Sequence, residues 1–169
     1  MIETSSTKSQ VTRAPLWASV VATFFGIGNL KPGPGTWGSL ATVLLWAGLA
    51  GFVPAATRPF VAIGSAAFVI AIGIPAATRV CDALRTKDAQ RVVIDEVAGQ
   101  LITLIGSPLH WKPLLVGFIL FRAFDMTKPP PVRQLESLPN GTGVVMDDVA
   151  AGAYGLIAMQ LLLRFGILG

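Results

Sequence analysis

Residues 59–78 read PFVAIGSAAFVIAIGIPAAT, twenty residues with no charge among them. At a rise of 1.5 Å per residue, a helix of that length covers about 30 Å, the thickness of a bilayer's hydrocarbon core. The run is too long for a strand and too rich in Ala and Gly to favour one. Its neighbours repeat the pattern. Residues 14–30 and 32–57 carry no charge, and shorter apolar runs cover 97–109, 113–121 and 149–163. The runs predict helices over about 15–29, 37–53, 59–78, 92–106, 112–125 and 142–164. The expected fold is all-α, a compact membrane-embedded bundle of about six helices, in which the fourth and fifth are short enough to be core helices instead of full spans. A polar segment, residues 1–13, reads as a flexible tail before a single domain over 14–169.

Composition supports the same class. The 169 residues are 53% apolar and 13% charged, with a mean hydropathy of +0.66, whereas soluble chains average about 25% charged. One cysteine, Cys81, permits no internal disulfide, and one histidine, His110, permits no zinc cluster of ordinary spacing. The net charge is +4, but the cations are scattered and form no basic face, so no nucleic-acid partner is expected. Membrane lipids are.

If the first helix runs inward from outside and the others alternate, Lys31, Arg79, Arg85, Lys87, Arg91, Lys128 and Arg133 fall on the inner side. Lys8, Arg13, Arg58, Lys112 and Arg164 fall on the outer side. Seven against five is a weak positive-inside bias.

The acids are more telling. Of nine in the chain, Asp95, Glu96, Asp125, Asp147 and Asp148 lie in or at the ends of apolar segments. A charge at the centre of a membrane helix costs about 2.5–3.5 kcal/mol even on the lenient insertion scale. Such acids serve one of three ends: ion pairs that hold the bundle, a proton or ion path, or a metal site. Arg122 and Asp125, three apart on one helix, are placed to pair. No matching local bases accompany Asp95-Glu96 or Asp147-Asp148. Converging carboxylates without histidine suit a hard cation such as Mg²⁺ or Mn²⁺.

Two loops complete the pattern. KPGPGTWGS (31–39) joins two helices. Thr36 or Ser39 is placed to cap the second, and its free N–H groups, with Lys31 nearby, could hold a phosphate. DMTKPPPVR (125–133) brings Lys128 and Arg133 beyond Asp125 on an extended proline segment. Each loop alone is equally consistent with a plain connection between helices.

Together the residues are distinctive. GIGNLKPGPGTWGSL (26–40), IDEVAGQ (94–100), FRAFDMTKPPP (121–131) and GTGVVMDDVAAG (141–152) occur in this order, and the chain resembles the phosphatidylglycerophosphatase A family over nearly all residues beyond about 20. Similar sequences often carry Pro or His after the Lys-Asp pair, where this chain has Ala89 after Lys87-Asp88. The resemblance implies a Mg²⁺-dependent hydrolase that converts phosphatidylglycerophosphate to phosphatidylglycerol at the cytoplasmic face of a bacterial inner membrane. It also implies one central helix surrounded by the others. On that basis Asp95, Glu96, Asp147 and Asp148 are the expected metal ligands, and Asp125 completes the site or moves a proton. Lys31, Thr36, Ser39, Arg122, Lys128 and Arg133 are the expected phosphate contacts.

Rival classes lack their residues. The chain has no Asp-x-Asp-x-Thr, no histidine pair and no Cys-x5-Arg, since Arg85 follows Cys81 by only four. A CDP-alcohol phosphotransferase would need an Asp-Gly-x2-Ala-Arg pattern that is absent. An ion- or proton-conducting bundle has no use for the phosphate-friendly loops.

Overall fold

The computed structural model describes residues 13–168. Among these there are seven α-helices and no strand: α1 (Leu16–Ala22), α2 (Pro34–Ala50), α3 (Arg58–Leu84), α4 (Ile94–Thr103), α5 (Trp111–Thr127), α6 (Val132–Leu135) and α7 (Asn140–Arg164). The all-α expectation holds, with one helix more than expected. The expected tail lies outside the described residues except for Arg13.

The first expected helix, 15–29, is broken. After Ala22 the chain turns through Phe24, Phe25 and Gly26, all at positive φ (44°, 56° and 94°), before a 3-10 turn at Ile27–Asn29. Thr23 anchors the turn, its hydroxyl donating to the Ser19 carbonyl and accepting from the Gly26 N–H. With seven residues, α1 is about 10 Å long and cannot cross a bilayer. Its entry at Arg13–Pro15 lies beside Arg79, Asp82 and Ala83 at the far end of α3. Arg13 therefore sits at the same end of the bundle as Arg79, not opposite it, which corrects the alternating arrangement expected from the sequence.

From there α2 leads away, and α3 returns over 27 residues, six longer at its C-terminal end than its charge-free run. Arg79 and Asp82 continue the helix because one polar face costs little at a bundle's rim. The helix stops at Arg85, in the left-handed conformation. α2 starts at Pro34, three residues earlier than expected, because proline's fixed φ suits the first helical position. Residues 129–131 turn into the four-residue α6 instead of staying extended.

α4 is the central helix. It packs on α2, α3, α5 and α7, and eight of its ten residues are buried. α4 and α7 cross at a glycine pair: a β-carbon on Gly152 would lie 2.9 Å from the Gly99 α-carbon. No larger residue fits there. Thr103 spans the same crossing, its hydroxyl 3.0 Å from the Gly99 carbonyl and 3.2 Å from that of Gly152. At the polar end, the Gly141 N–H donates to Thr78 Oγ1 at 3.1 Å and ties α7 to α3. α3 and α7 are long and apolar enough to cross a membrane. Leu49, Phe52, Phe60, Phe68 and Ile157 are exposed.

Candidate active site

The crossing of α4 and α7 fixes where the acids go. Asp95 lies one turn before Gly99, and Asp148 one turn before Gly152, so the two helices carry these carboxylates to one level. Asp95, Glu96 and Asp148 each offer an oxygen within 4.8 Å of the others. Adjacent residues on a helix diverge by about 100°, and Glu96 joins the group through its longer side chain. Asp147 does not. It points to Lys128, whose Nζ donates to Asp147 Oδ2 at 2.8 Å, and its Oδ1 accepts the Asp148 N–H at 3.0 Å. Of the four expected ligands, the structure thus brings three together and places the fourth against a cation.

The rest of the site is assembled from α2, α5 and the segments around α6. Arg122 Nη1 lies 2.6 Å from Asp125 Oδ2, the pairing expected from the spacing, and 3.8 Å from Glu96 Oε1. The closer contact is an ion pair set at an angle outside that of a hydrogen bond. Lys128 also pairs with Glu136 at 3.1 Å. Burial works against the charge on Lys128, but the hydrogen bonds and charges of Asp147 and Glu136 outweigh it and hold its ammonium above the ordinary lysine range. Gly35, in the first turn of α2, lies against the Glu96 carboxylate with no room for a β-carbon. The KPGPGTWGS loop is therefore part of the site through its backbone.

A cavity of about 130 Å³ opens at this cluster, lined by Asp95, Glu96, Asp125, Lys128, Asp147 and Asp148 among others. One water needs only about 10–15 Å³ on such a measure, so the space admits several waters or a small polar group. Three carboxylates that line it each have a buried oxygen without a hydrogen-bond partner: Asp95 Oδ1, Glu96 Oε2 and Asp148 Oδ2. Buried polar atoms are normally satisfied. Three carboxylates that converge from two helices, each with an unpartnered oxygen, fit a divalent cation, which supplies the missing positive charge. The acidic cluster could hold such an ion.

The expected phosphate contacts divide. Arg122 and Lys128 belong to the cluster. Lys31 lines a second cavity that adjoins the first. Thr36 and Arg133 are exposed and line neither. Ser39 is fully buried, its hydroxyl donating to the Gly35 carbonyl at 2.9 Å, and no side chain caps α2. The position Thr36 would take as a cap is filled by Gly33, in the left-handed conformation.

Sequence reasoning missed four contributors. Lys87, Asp88 and Gln90 line the acidic cavity, and Glu136 completes the Lys128 pair. Asp88 carried a hint, lying just upstream of Asp95-Glu96. Glu136, in a polar loop, carried none. Gln100, one turn beyond Glu96 in IDEVAGQ, is fully buried with both amide atoms unpartnered.

The family model of phosphatidylglycerophosphatase A matches residues 20–163. The chain belongs to the phosphatidylglycerophosphatase A family. Phosphatidylglycerophosphatase A of Haemophilus influenzae is 35% identical over 142 residues, covering 83% of this chain and 85% of that protein. The enzyme of the same name from Escherichia coli is 33% identical over 147 residues, 86% of this chain and 82% of that protein. A Bacteroides thetaiotaomicron protein with the provisional name phosphatidylinositol-3-phosphatase is 34% identical over 146 residues, 84% and 91% of the two chains. No solved structure matches the chain. In IDEVAGQ (94–100) and DDVAAG (147–152) of this chain, the acid and the crossing glycine occur together.

Proposed function

We propose that this family member hydrolyses the terminal phosphate monoester of phosphatidylglycerophosphate, releasing phosphatidylglycerol and inorganic phosphate, with Mg²⁺ at Asp95, Glu96 and Asp148. The observation that carries the reading is three converging carboxylates, each with an unpartnered buried oxygen, on a cavity that Lys128 also lines. Mg²⁺, when bound, would neutralise phosphate charge and lower the pKa of a bound water.

The chain's own residues supply the rest. Lys128, which lines the cavity, and Arg122, behind Glu96 and Asp125, are the cations to hold phosphoryl oxygens, and positioning with charge stabilisation is most of what phosphoryl transfer asks of a protein. Asp125 lines the cavity and is the group to take a proton from water. In the overall step the water oxygen bonds to phosphorus, the bond from phosphorus to the glycerol oxygen breaks, and the proton passes to that oxygen. Asp147 acts through Lys128, holding the ammonium at the rim.

The cations support an orientation in the bilayer. With α1 short, and among the described residues, the site end of the bundle carries Arg13, Lys31, Arg79, Arg85, Lys87, Arg91, Lys128 and Arg133 at or beyond helix ends, and the other end carries Arg58, Lys112 and Arg164. Among the described residues this is eight against three, where the sequence alone divided the same residues seven against four, and it favours a site facing the cytoplasm. The exposed apolar side chains, costly in water, suit an inner-membrane bundle whose lipid substrate lies alongside.

The test is phosphate release by the purified protein in detergent micelles, with Mg²⁺ and with EDTA. The panel is phosphatidylglycerophosphate, phosphatidic acid and phosphatidylinositol 3-phosphate. Mg²⁺-dependent release, fastest from the first, is expected. Faster release from the inositol lipid would move the substrate assignment, and release unaffected by EDTA would remove the metal.

A further inference from the structure

Beside the acidic cavity lies a second, of about 390 Å³, between the loop after α1 and the segment that enters α4. Asn29, Lys31, Thr86 and Arg91 line it, and Asp88 and Gln90 line both cavities. The two spaces are therefore neighbours, and they differ in chemistry. The first gathers carboxylates. The second presents two cations, and among the described residues neither Lys31 nor Arg91 has an ion-pair partner.

The walls of this groove are held by backbone. Gly28 packs so closely on the Arg91 carbonyl that a β-carbon would collide with it, and the Val93 N–H donates to the Ala22 carbonyl at 2.8 Å. The loop carrying Lys31 and the segment carrying Arg91 thus keep their spacing without help from either side chain.

The lipid named above has a matching layout: a phosphate monoester, a glycerol with a free hydroxyl, and then a phosphodiester leading to the acyl chains. We propose that the Lys31–Arg91 groove binds that phosphodiester, while Asp88 and Gln90 at the junction hydrogen-bond the glycerol hydroxyl. This rests on the function proposed above, because it takes the monoester to occupy the acidic cavity. An anion entering a cluster of carboxylates is otherwise repelled, and cations at the entrance offset that repulsion and steer approach. The groove also gives a means of telling this lipid from one whose monoester sits directly on diacylglycerol, which has no diester to offer.

The product, phosphatidylglycerol, keeps the diester and lacks the monoester, so it is the probe. In the double variant Lys31→Gln/Arg91→Gln, KM for phosphatidylglycerophosphate and the inhibition constant of phosphatidylglycerol should each rise about tenfold, the loss of two partly exposed charge contacts, with kcat little changed. Lys31→Arg/Arg91→Lys, which keeps both charges, should recover most of the loss. Both positions are exposed, and an unchanged melting temperature excludes misfolding. If the inhibition constant of phosphatidylglycerol stays at the wild-type value, the groove does not read the diester. If only the constant for inorganic phosphate rises, the groove holds released phosphate and the proposal is overturned. A wild-type protein that releases no phosphate from phosphatidylglycerophosphate would instead overturn the function itself, a result distinct from either.

Discussion

Replacing Gly35 by alanine separates catalysis from stability. The position lies in the first turn of α2 with ordinary helical φ, so alanine suits the backbone and should favour the helix by up to about 1 kcal/mol. The added methyl would overlap Glu96 Oε1, and would lie 2.9 Å from the Glu96 Cδ and 3.1 Å from Arg122 Nη1. Ordinary contacts between such atoms need about 3.5 Å or more, so the carboxylate must retreat by more than about 1 Å. It can do so by swinging into the acidic cavity, but only by leaving the place it holds beside Asp95, Asp148 and Arg122. A displacement of about 1 Å at a reacting centre can cost 10²-fold in rate, or about 2.7 kcal/mol of barrier. The expected result is a Gly35→Ala protein with a melting temperature at or slightly above wild type and kcat lower by about 10²-fold in the phosphate-release assay. Wild-type kcat would refute the reasoning, because it would mean that Glu96 can move without consequence. A lowered melting temperature with a proportionate activity loss would refute the separation of the two.

Asp95→Asn and Asp148→Asn each remove a buried carboxylate facing other acids. In EDTA they should melt above wild type, yet lose the stabilisation that added Mg²⁺ gives the wild-type protein; differential scanning fluorimetry with and without the ion checks both. Lys128→Met strands Asp147, which is 4% exposed, and should cost about 2–4 kcal/mol in denaturant unfolding, with stability largely restored by adding Asp147→Asn but activity not restored. Gly152→Leu drives a side chain into the Gly99 backbone and should destabilise by about 3 kcal/mol or more, seen as loss of monodisperse protein in detergent chromatography.

The charge-free run over 59–78 and the isolated acids were legible because each departs from a simple expectation: length in one case, cost of burial in the other. The break in the first helix was not. Phe24 and Phe25 at positive φ follow from the turn that Thr23 and Gly26 build, and an apolar run conceals such a turn. That break also moved Arg13 to the opposite end and sharpened the orientation. In the candidate site, the paired acids were visible, but Asp147 and Asp148 are equivalent as letters. Only the helix phase at the Gly152 crossing turns Asp148 toward Asp95 and Asp147 toward Lys128. Ser39 illustrates the converse. It has the right chemistry for a cap or a phosphate contact, but helix phase turns it inward, where its hydroxyl satisfies the Gly35 carbonyl.

The Gly99–Gly152 contact makes the spacing of the acids a property of two main chains. Rotamers can adjust an oxygen by a fraction of its reach, but they cannot widen the gap between the axes on which Asp95 and Asp148 are mounted. Gathering buried acids one turn from that contact costs stability, and Thr103 clasps the far side of the crossing. The bundle thus works as a clamp whose jaws are set by backbone. A cation bound as proposed would find its ligands already gathered.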